Sequence, residues 1–552
     1  MRIGQASLGY CWSASRALLV FGLLSCGASE PASKATQDSD VVTVQVLAFN
    51  DFHGHLEPPS GRNGQLGGET VGGLAHMSAL LESLRAKAEH TVTVSAGDLI
   101  GASPLVSALF HDEPTIELME DVGLDINGVG NHEFDEGWEE LKRIKEGGCH
   151  PEDGCGDRPP YDGASFSFLA ANVQHKSTGD TVFPGSEVRT FDGVKVGFIG
   201  LTFEGTQDIV VQEGIASLTF EPERDAINRV ATSLRAEGVE TIVVLVHEGG
   251  LVTGDYNGCD GISGPIVDLV EATDDAVDVF VTGHTHRAYN CRVDGRVVTS
   301  AASYGRAVSE ITLTIDRESG DVASSTSVNH LVLRDRATPQ ITRSVQTAVD
   351  AADPVAGRVV TTLSAALTRE RNAAGQSSLG VTTANAQRQT MLFINDHQPS
   401  VAFMNSGGLR ADIPGGDVAF RDLFAVHPFG NFVVSKETTG GQFVDFLAEQ
   451  VRGGRRLQAS SNLRYTYSES DDTRILDRAS VRVDGRPIEP TAPLYIVVNS
   501  YLAGGGDGLE VLKTMRTHAE GPVDVGALED FLKDNAPLQA PVLDHIGVLS
   551  EG

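Results

Sequence analysis

The sequence is short of three features that would each point to a class of protein. Its 552 residues include 42 Lys and Arg against 75 Asp and Glu, so its net charge is -33. This shortage of positive charge argues against binding nucleic acid or anionic membranes through a general basic field. The six cysteines form no CxxC pair, which argues against a zinc finger. Beyond the first 26 residues, no stretch is apolar and long enough to cross a bilayer.

What is present is typical of a soluble globular protein, with 40% hydrophobic and 21% charged residues. The length predicts two domains, and three are possible. The acidic balance carries one consequence for chemistry. If the substrate is an anion, metals or a few local arginines must supply the charge that binds it.

The first 26 residues resemble a targeting segment, because Arg2 and Arg16 are the only charged residues before position 30 and the short apolar run "ALLVFGLLSC" follows. The ending Leu-Leu-Ser-Cys resembles the lipobox of bacterial lipoproteins. That resemblance implies a lipid anchor on Cys26 and a cell-envelope protein, facing the periplasm or on the outer surface. An ordinary cleavable signal peptide is the alternative. Residues 27–42 are small and polar, as expected of a flexible tether.

Two cysteines belong to the leader, and four remain: Cys149, Cys155, Cys259 and Cys291. An even number in an exported chain indicates disulfides, and three pairings are possible. We prefer the local pairing, Cys149–Cys155 with Cys259–Cys291, because both closed loops are rich in glycine and polar residues. Free thiols are the alternative in a reducing compartment.

Residues 43–335 alternate short β-rich runs with helical patterns, which predicts an α/β layered domain. The first helical pattern places Leu74, Met77, Leu81 and Leu84 on one face. Residues 336–358 read as an exposed linker helix closed by Pro354. Residues 359–552 then form a second α+β unit with glycine-rich turns.

Five polar motifs follow directly on five predicted strands. They are "FNDFHGH" from Phe49, "SAGDLIG" from Ser95, "GVGNHEFDEG" from Gly128, "LVHEGG" from Leu245 and "TGHTH" from Thr282. Ligands gather at the carboxyl ends of strands in α/β sheets, so these motifs are expected to converge. In an extended segment residues i and i+2 point the same way, so the pairs Asp51/His53 and His284/His286 should each face one cleft.

The motifs combine imidazoles, carboxylates and an amide, a ligand set that suits Zn or Mn. Each residue alone has a plainer explanation: a surface histidine, a turn aspartate, or a helix cap for Asn131. The metal site is favoured because all five motifs occur together. Five further histidines are not expected to be ligands. His55 is assigned to the surroundings of the site or the surface, and the other four are His76, His90, His111 and His150.

In their order, D-x-H, G-D, G-N-H-E, H and G-H-T-H resemble the calcineurin-like dinuclear metallophosphatases. "GNHEFD" resembles their exported bifunctional branch of 5'-nucleotidases and UDP-sugar hydrolases, over roughly residues 43–550. The resemblance implies a four-layer α/β/β/α metallophosphatase domain and a separate C-terminal α+β nucleotide-binding domain. It also implies two divalent ions and a hinge near residues 336–358.

The resemblance assigns roles to the motif residues. The first ion would be held by Asp51, His53, Asp98 and His286, and the second by Asp98, Asn131, His247 and His284. His132 would protonate or stabilise the leaving oxygen, with Asp135 orienting it.

The second half contains "FMNSGGLRADI", "HPFGNF" and "NSYLAGGGDG", which resemble the family's nucleotide-binding segments. By that resemblance Phe429 and Tyr501 would stack on the base and Asp507 would bind the ribose. Asn405 and Arg410 would hold phosphate or ribose oxygens. Ordinary turns and core packing are the plainer reading of these segments.

One segment, "LTRERNAAGQSSLGVTTANAQ", departs from the family pattern. Gln376 and Asn385 stand where carboxylates are usual, which puts the local salt-bridge network in doubt. Arg369 is the best match for a phosphate-facing arginine, with Arg371 as its rival.

The function favoured by these patterns is hydrolysis of nucleoside 5'-monophosphates to nucleoside and phosphate. One rival is a 2',3'-cyclic-nucleotide 2'-phosphodiesterase/3'-nucleotidase, and another is a UDP-sugar hydrolase. A surface-tethered binding protein on an inactive scaffold is the alternative outside enzymes. We expect a small nucleotide as partner, no nucleic acid, and membrane contact only through Cys26.

Overall fold

The computed structural model describes residues 40–155, 159–395, 400–454, 457–470 and 473–550. The leader, Cys26 and most of the tether therefore lie outside the described residues. Within the described ranges, we find no helix with both the length and the apolar character that a bilayer span needs.

The N-terminal half contains sixteen strands and seven helices among its described residues. The strands are β1 (Val41–Phe49), β2 (Gln65–Leu66), β3 (Glu69–Thr70), β4 (Thr91–Ser95), β5 (Ile126–Gly128), β6 (Ser167–Leu169), β7 (Val173–His175), β8 (Ser186–Phe191), β9 (Val194–Leu201), β10 (Leu218–Phe220), β11 (Thr241–Val246), β12 (Val279–Thr282), β13 (Ala288–Val293), β14 (Arg296–Ala301), β15 (Ala307–Asp316) and β16 (Val322–Leu331). The helices are α1 (Leu74–Arg85), α2 (Leu105–Ala108), α3 (Glu113–Asp121), α4 (Trp138–Glu146), α5 (Glu223–Ala236), α6 (Pro265–Ala272) and α7 (Pro339–Ala356).

Two six-stranded sheets form the centre of this half, in the orders β16-β15-β1-β4-β5-β6 and β13-β14-β12-β11-β9-β8. The apolar side chains of β1, β4, β9, β11 and β12 that face each other form one buried cluster between the sheets. Helices α1, α3 and α4 cover the outer face of the first sheet, and α5 and α6 cover the second. The four-layer α/β/β/α prediction is confirmed.

Burial explains why these segments form their elements. All six residues of β11, "TIVVLV", are buried, as expected of a parallel strand covered on both faces. In α1 the four residues predicted to share a face, Leu74, Met77, Leu81 and Leu84, are all buried. The strands β1, β4, β5 and β6 pair in parallel, so their carboxyl ends meet at one edge.

The prediction that Pro354 closes the linker helix is wrong, because α7 runs through that residue to Ala356. A proline removes one backbone donor and crowds the preceding turn, but only two residues remain beyond it. The missing donor therefore affects only the end of α7.

The C-terminal half contains twelve strands and six helices among its described residues. The strands are β17 (Val359–Leu363), β18 (Ser400–Met404), β19 (Gly416–Ala419), β20 (Phe432–Thr439), β21 (Gln458–Ala459), β22 (Leu463–Ser470), β23 (Thr473–Leu476), β24 (Arg482–Val483), β25 (Arg486–Pro487), β26 (Pro493–Asn499), β27 (Thr517–Val523) and β28 (Ile546–Ser550). The helices are α8 (Ser378–Ile394), α9 (Phe420–Val426), α10 (Gly440–Arg452), α11 (Ser500–Ala503), α12 (Glu510–Thr514) and α13 (Asp524–Asp534). A five-stranded sheet, β21-β18-β26-β20-β27, is its centre, which confirms an α+β arrangement.

The preferred disulfide pairing is confirmed, since Cys149 is bonded to Cys155 and Cys259 to Cys291. The first bridge closes a short loop after α4. The second ties the loop before α6 to β13.

Candidate metal centre and substrate cavity

The five polar motifs meet at one edge of the two sheets, as expected. Asp51, Asp98 and Asn131 lie in the loops after β1, β4 and β5 of the first sheet. His247 and the pair His284/His286 lie after β11 and β12 of the second sheet. The carboxyl ends of parallel strands from both sheets therefore supply the same site.

The prediction that these motif pairs lie in extended segments is wrong. Extended backbone has negative φ angles, but φ is 51° at Asp51, 49° at His53, 68° at His284 and 56° at His286. These residues occupy the left-handed region, which costs free energy for residues other than glycine and often marks a functional site. Tight turns aim the side chains. Between the two histidines, Thr285 donates to the carbonyl of Gly250 at 3.0 Å.

The first group of ligating atoms comes from Asp51, His53, Asp98 and His286, and all four atoms lie within 4.8 Å of one another. His53 Nε2 is 3.2 Å from His286 Nε2 and 3.6 Å from Asp98 Oδ2. His286 Nε2 is 3.2 Å from Asp51 Oδ1.

A second group adjoins the first through Asp98. His247 Nε2 is 2.9 Å from Asp98 Oδ2, and His284 Nδ1 is 3.0 Å from Asn131 Oδ1. The imidazole rings of His247 and His284 are 5.4 Å apart. Asp98 thus has neighbours in both groups, as a bridging carboxylate would.

The hydrogen bonds of two histidines show whether the site could bind metal ions. His53 Nδ1 is 2.8 Å from the carbonyl of Gly101, and His247 Nδ1 is 2.7 Å from that of Ala96. A carbonyl only accepts, so each Nδ1 carries a proton and each ring aims its Nε2 into the site. The nearby charge of Asp98 outweighs burial and raises the pKa of His247 to about 10, so a metal ion would replace a proton on its Nε2. Among the described residues, that buried Nε2 has no hydrogen bond of good geometry, although Asp98 Oδ2 lies 2.9 Å away. Lone pairs facing a carboxylate and another imidazole fit divalent cations.

Two supporting residues were not assigned a role from the sequence. The buried carboxylate of Glu133 accepts from the backbone amides of Asp98 (3.0 Å), Leu99 (2.7 Å) and Gly130 (2.7 Å). It thereby joins two of the ligand loops. Burial, followed by the charge of Asp98, raises the pKa of Glu133 to about 7. The only sequence signal was its place inside "GNHE".

Asn50 has a similar supporting function. It contacts Asp51 Oδ2 through its Nδ2 at 2.5 Å and also donates to the carbonyl of Ala302 at 2.7 Å. Its Oδ1 accepts from the amide of Ala301 at 2.7 Å. These contacts fix the orientation of the Asp51 carboxylate from the second sheet.

His132 and Asp135 form a hydrogen-bonded pair beside the metal-ligating atoms. His132 Nδ1 is 2.8 Å from Asp135 Oδ2, which also accepts from the amide of Ala102 at 3.1 Å. Burial opposes protonation of His132, but the charges of Asp135 and Asp98 outweigh it and raise its pKa. The pair is therefore oriented and poised as a proton donor.

One cavity of about 200 Å³ joins the two halves of the chain. Asp98, Asn131, His132, Asp135, His284 and His286 line it from the N-terminal half, together with residues 209–211. Asn405, Arg410, Phe429, Tyr501 and Asp507 line it from the C-terminal half. All but one of the residues assigned to substrate binding therefore reach the same space as the metal-ligating side chains.

Arg410 and Phe429 bridge the halves within this cavity. Arg410 Nη2 lies 3.5 Å from His53 Nε2. The guanidinium carbon of Arg410 is 5.7 Å from the centre of the Phe429 ring. That ring stacks on the imidazole of His132, with 5.7 Å between the ring centres and 21° between the ring planes. The acidic protein thus places one local cation at the metal-ligating atoms.

Tyr501 and Asp507 are joined to each other. The Tyr501 hydroxyl donates to Asp507 Oδ1 at 2.8 Å and accepts from the Asp507 amide at 2.9 Å. Asp507 has a φ of 54°, so the tyrosine hydroxyl closes a tight turn. The hydroxyl, noted from the sequence only as an addition to the ring, therefore positions the carboxylate.

Arg369 does not line the cavity. Its Nε donates to Asp412 Oδ1 at 2.9 Å, its Nη1 to the carbonyl of Arg410 at 2.7 Å and its Nη2 to Asn63 Oδ1 at 3.3 Å. In this arrangement it supports the loop of Arg410 from behind, and its assignment to phosphate stays a prediction.

Gln376 and Asn385 stand where the family usually has carboxylates, and their neutral amides make hydrogen bonds to the backbone. Gln376 accepts from the amide of Ala459 at 2.8 Å and donates to the carbonyl of Leu457 at 3.0 Å. Asn385 accepts from the amide of Ser461 at 2.8 Å. Both bind backbone, so this segment is anchored without the carboxylates.

Two family models match the chain. Residues 44–288 match the calcineurin-like phosphoesterase family, and residues 355–514 match the 5'-nucleotidase C-terminal domain. The chain belongs to this two-part phosphoesterase family. It is a metal-dependent phosphoesterase, and this disfavours the inactive binding scaffold considered as an alternative.

Similar proteins include endonuclease YhcR of Bacillus subtilis, 31% identical over 91% of this chain and 40% of that protein. The chain thus spans well under half the length of that relative. Cell wall protein Lmo0130 of Listeria monocytogenes is 30% identical over 94% of this chain and 70% of that protein. The solved 5'-nucleotidase precursor of Thermus thermophilus has the same fold, with a TM-score of 0.75 at 24% identity, covering 93% of this chain and 100% of that one.

Proposed function

We propose that the protein is an exported 5'-nucleotidase that hydrolyses nucleoside 5'-monophosphates to nucleoside and phosphate. The observation that carries this proposal is the cavity lined jointly by metal-ligating residues and by Phe429, Tyr501 and Asp507. A phosphate at the metal-ligating side would leave its nucleoside beside two aromatic rings and a carboxylate. The match to the 5'-nucleotidase C-terminal domain supports this choice.

We assign the metal ligands as the motifs suggest. Asp51, His53, Asp98 and His286 would hold one ion, and Asp98, Asn131, His247 and His284 the other. The mixed nitrogen and oxygen set favours Zn or Mn. When bound, two such ions supply positive charge that polarises the phosphate and promotes attack by water.

The chain itself supplies the proton for the leaving group. In hydrolysis the water oxygen bonds to phosphorus while the bond between phosphorus and the ribose 5' oxygen breaks. His132, protonated and held through Nδ1 by Asp135, would donate its Nε2 proton to that departing oxygen. The metal-ligating residues would position the phosphate, and Arg410 would neutralise its charge.

The nucleoside would lie against the C-terminal half. Phe429 and Tyr501 offer aromatic faces to the base, and Asp507, held by Tyr501, offers acceptors to the ribose hydroxyls. Asn405, which accepts from Asn499 at 3.0 Å, would contact phosphate or ribose oxygens. Residues 209–211 come from the opposite half and close the same space.

A release assay with several substrates separates this proposal from its rivals. We expect AMP to be hydrolysed with higher kcat/KM than 3'-AMP, 2',3'-cyclic AMP or UDP-glucose, and chelator to abolish all turnover. A single-stranded oligonucleotide belongs in the same assay, because one relative is named an endonuclease. Preference for any substrate other than AMP would overturn the 5'-nucleotidase proposal while leaving the phosphoesterase in place.

We also propose the division into residues 43–335, a linker helix over 336–358 and residues 359–552, with a lipid anchor at Cys26. The anchor is tested by labelled palmitate, which should enter the expressed chain but not a Cys26→Ser variant. Equal labelling of both would contradict it.

A further inference from the structure

A second group of possible metal ligands lies outside the centre described above. It consists of His111, Glu136, Glu140 and His150, whose ligating atoms all lie within 4.8 Å of one another. His111 precedes α3, the two glutamates flank the start of α4, and His150 lies in the loop closed by Cys149–Cys155. The sequence had placed both histidines outside any metal site.

The two imidazoles are arranged face to face. Their ring centres are 3.7 Å apart and the rings are only 7° from parallel. His111 Nδ1 is 3.2 Å from Glu136 Oε2, and His150 Nε2 is 4.0 Å from Glu140 Oε2. Ligands about 2.0–2.2 Å from a tetrahedral zinc lie about 3.3–3.6 Å from one another, so these atoms are near the required spacing. The two stacked rings would have to turn apart for both nitrogens to point at one ion.

The contacts of the histidines determine what an ion must displace. His111 faces Glu136 through Nδ1 and Asp153 through Nε2, and the hydrogen bond to Glu136 raises its pKa to about 9. A bound ion would replace the Nδ1 proton, while Asp153 would still accept from Nε2. His150 Nδ1 accepts from the amide of Asp153 at 3.2 Å and is 3.8 Å from its Oδ2. On binding an ion through Nε2, His150 would turn its Nδ1 into a donor to that same carboxylate.

The surrounding charge favours a cation. Arg143 donates to both oxygens of Glu140, at 2.9 Å and 2.7 Å, and to Glu113 at 2.7 Å. The carboxylates of Glu136 and Asp153 face His111 instead of this guanidinium. A divalent ion beside Glu136 would bring more positive charge to these carboxylates than the single charge of a protonated His111.

We propose that His111, Glu136, Glu140 and His150 form an additional divalent-cation site of the zinc type. The Cys149–Cys155 disulfide closes the loop that carries His150. Two imidazoles with two carboxylates are a ligand set that zinc binds well. The site opens on a groove of about 290 Å³ that His132, Asp135 and Phe429 also line. Glu136 follows Asp135 directly, so a bound ion would hold the turn that orients His132.

Zinc content tests the site without reference to activity. The full chain is saturated with Zn²⁺, passed through metal-free buffer, and analysed for zinc per chain. We expect His111→Ala and His150→Ala each to lose one zinc relative to the parent chain. His330→Ala is the matched control, because His330 also pairs with a glutamate, Glu310 at 2.7 Å, but lies on β16. It should retain the full complement.

An Asp98→Asn, His286→Ala background separates this site from the main centre. In that double variant we expect one tightly bound zinc, and adding His150→Ala should remove it.

If a histidine variant fails to fold, Glu136→Gln is measured in its place, because Glu136 is half-exposed. That change should weaken zinc binding at least 10-fold. Equal zinc content and affinity in the parent and these variants would overturn the proposal and leave the 5'-nucleotidase proposal untouched.

Discussion

The metal-ligating loops and the nucleotide-lining loops border one cavity but are built differently. Asp51, His53 and His247 have no exposed surface, and each is fixed by backbone or side-chain contacts. Phe429, on the turn after α9, and Tyr501, in the short helix α11, are half-buried, and Asp507, on the turn after α11, is exposed. The contrast indicates that the residues of the candidate metal centre are held in fixed positions, while the nucleoside would be recognised through a few contacts that can adjust. Changes on the first side should therefore abolish turnover, and changes on the second should alter affinity.

The largest effect is expected at Asp98, the residue shared by both groups of ligands. Asp98→Asn should reduce AMP hydrolysis to background because it removes the carboxylate that neighbours His53 and His247. Binding of adenosine, measured by calorimetry, should persist, since the nucleoside contacts lie elsewhere. An active Asp98→Asn enzyme would contradict the assignment of Asp98 to both groups of ligands. Asp192→Asn, an exposed carboxylate paired with Arg317, is the control and should be fully active.

A smaller loss is expected at His132. His132→Ala should lower kcat about 10²- to 10⁴-fold, which is typical of removing a general acid. Metal content should not change, because His132 is not assigned as a ligand. His175→Ala, a histidine beside Trp138, serves as control. Unchanged kcat in the His132 variant would refute its role, and lost metal would reassign it to the ligands.

On the nucleotide side, Tyr501→Phe keeps the ring and removes the hydroxyl that joins Asp507. We expect KM for AMP to rise about 2- to 10-fold, the effect of one net hydrogen bond, with kcat nearly unchanged. Steady-state kinetics with AMP measure both constants. A fall in kcat without change in KM would show that this side also contributes to the chemistry.

The smallest expected effect is on the thermal stability of the fold, through Asp524, which is buried beside His427 near the turn that carries Phe429. Burial raises the pKa of Asp524 to about 8, and burial lowers that of its neighbour His427 to about 4. A raised carboxyl pKa means that the folded state keeps a proton which the unfolded chain releases above about pH 4, so stability falls as the pH rises towards 8. Asp524→Asn cannot ionise, so its melting temperature should exceed that of the parent increasingly between pH 5 and 9.

Differential scanning calorimetry at several pH values measures this difference. A constant difference across that range would contradict the assignment of Asp524.

Buried β runs, the α1 stripe and motifs at strand ends were sufficient to predict an α/β layered domain and the convergence of the motif residues. The four-layer arrangement came from the family resemblance, and the disulfide pairing from the composition of the closed loops. The left-handed backbone at Asp51 and His284 was not predictable, because the surrounding loops impose it. The same holds for Glu133, because two of its three amide partners, Asp98 and Leu99, come from a loop distant in sequence.

Long-range pairing also explains the other differences. Arg369 was expected at the phosphate, but Asp412 and Asn63 hold its guanidinium outside the cavity. His111 and His150 are 39 residues apart along the chain, and only the fold of α4 with its disulfide loop stacks them. No motif spacing could have indicated that contact.

Arg410 provides the most direct test of the central claim, that a nucleotide held by one half presents its phosphate to the metal-ligating half. Its guanidinium comes from the C-terminal half and reaches His53 in the other. The measurement compares Arg410→Ala with the parent chain, using kcat/KM for AMP and the inhibition constant of adenosine. We expect a fall of about 10- to 100-fold in kcat/KM, from the loss of a charge-assisted hydrogen bond, with adenosine inhibition unchanged. Unchanged AMP turnover, or an equal loss of adenosine binding, would contradict it.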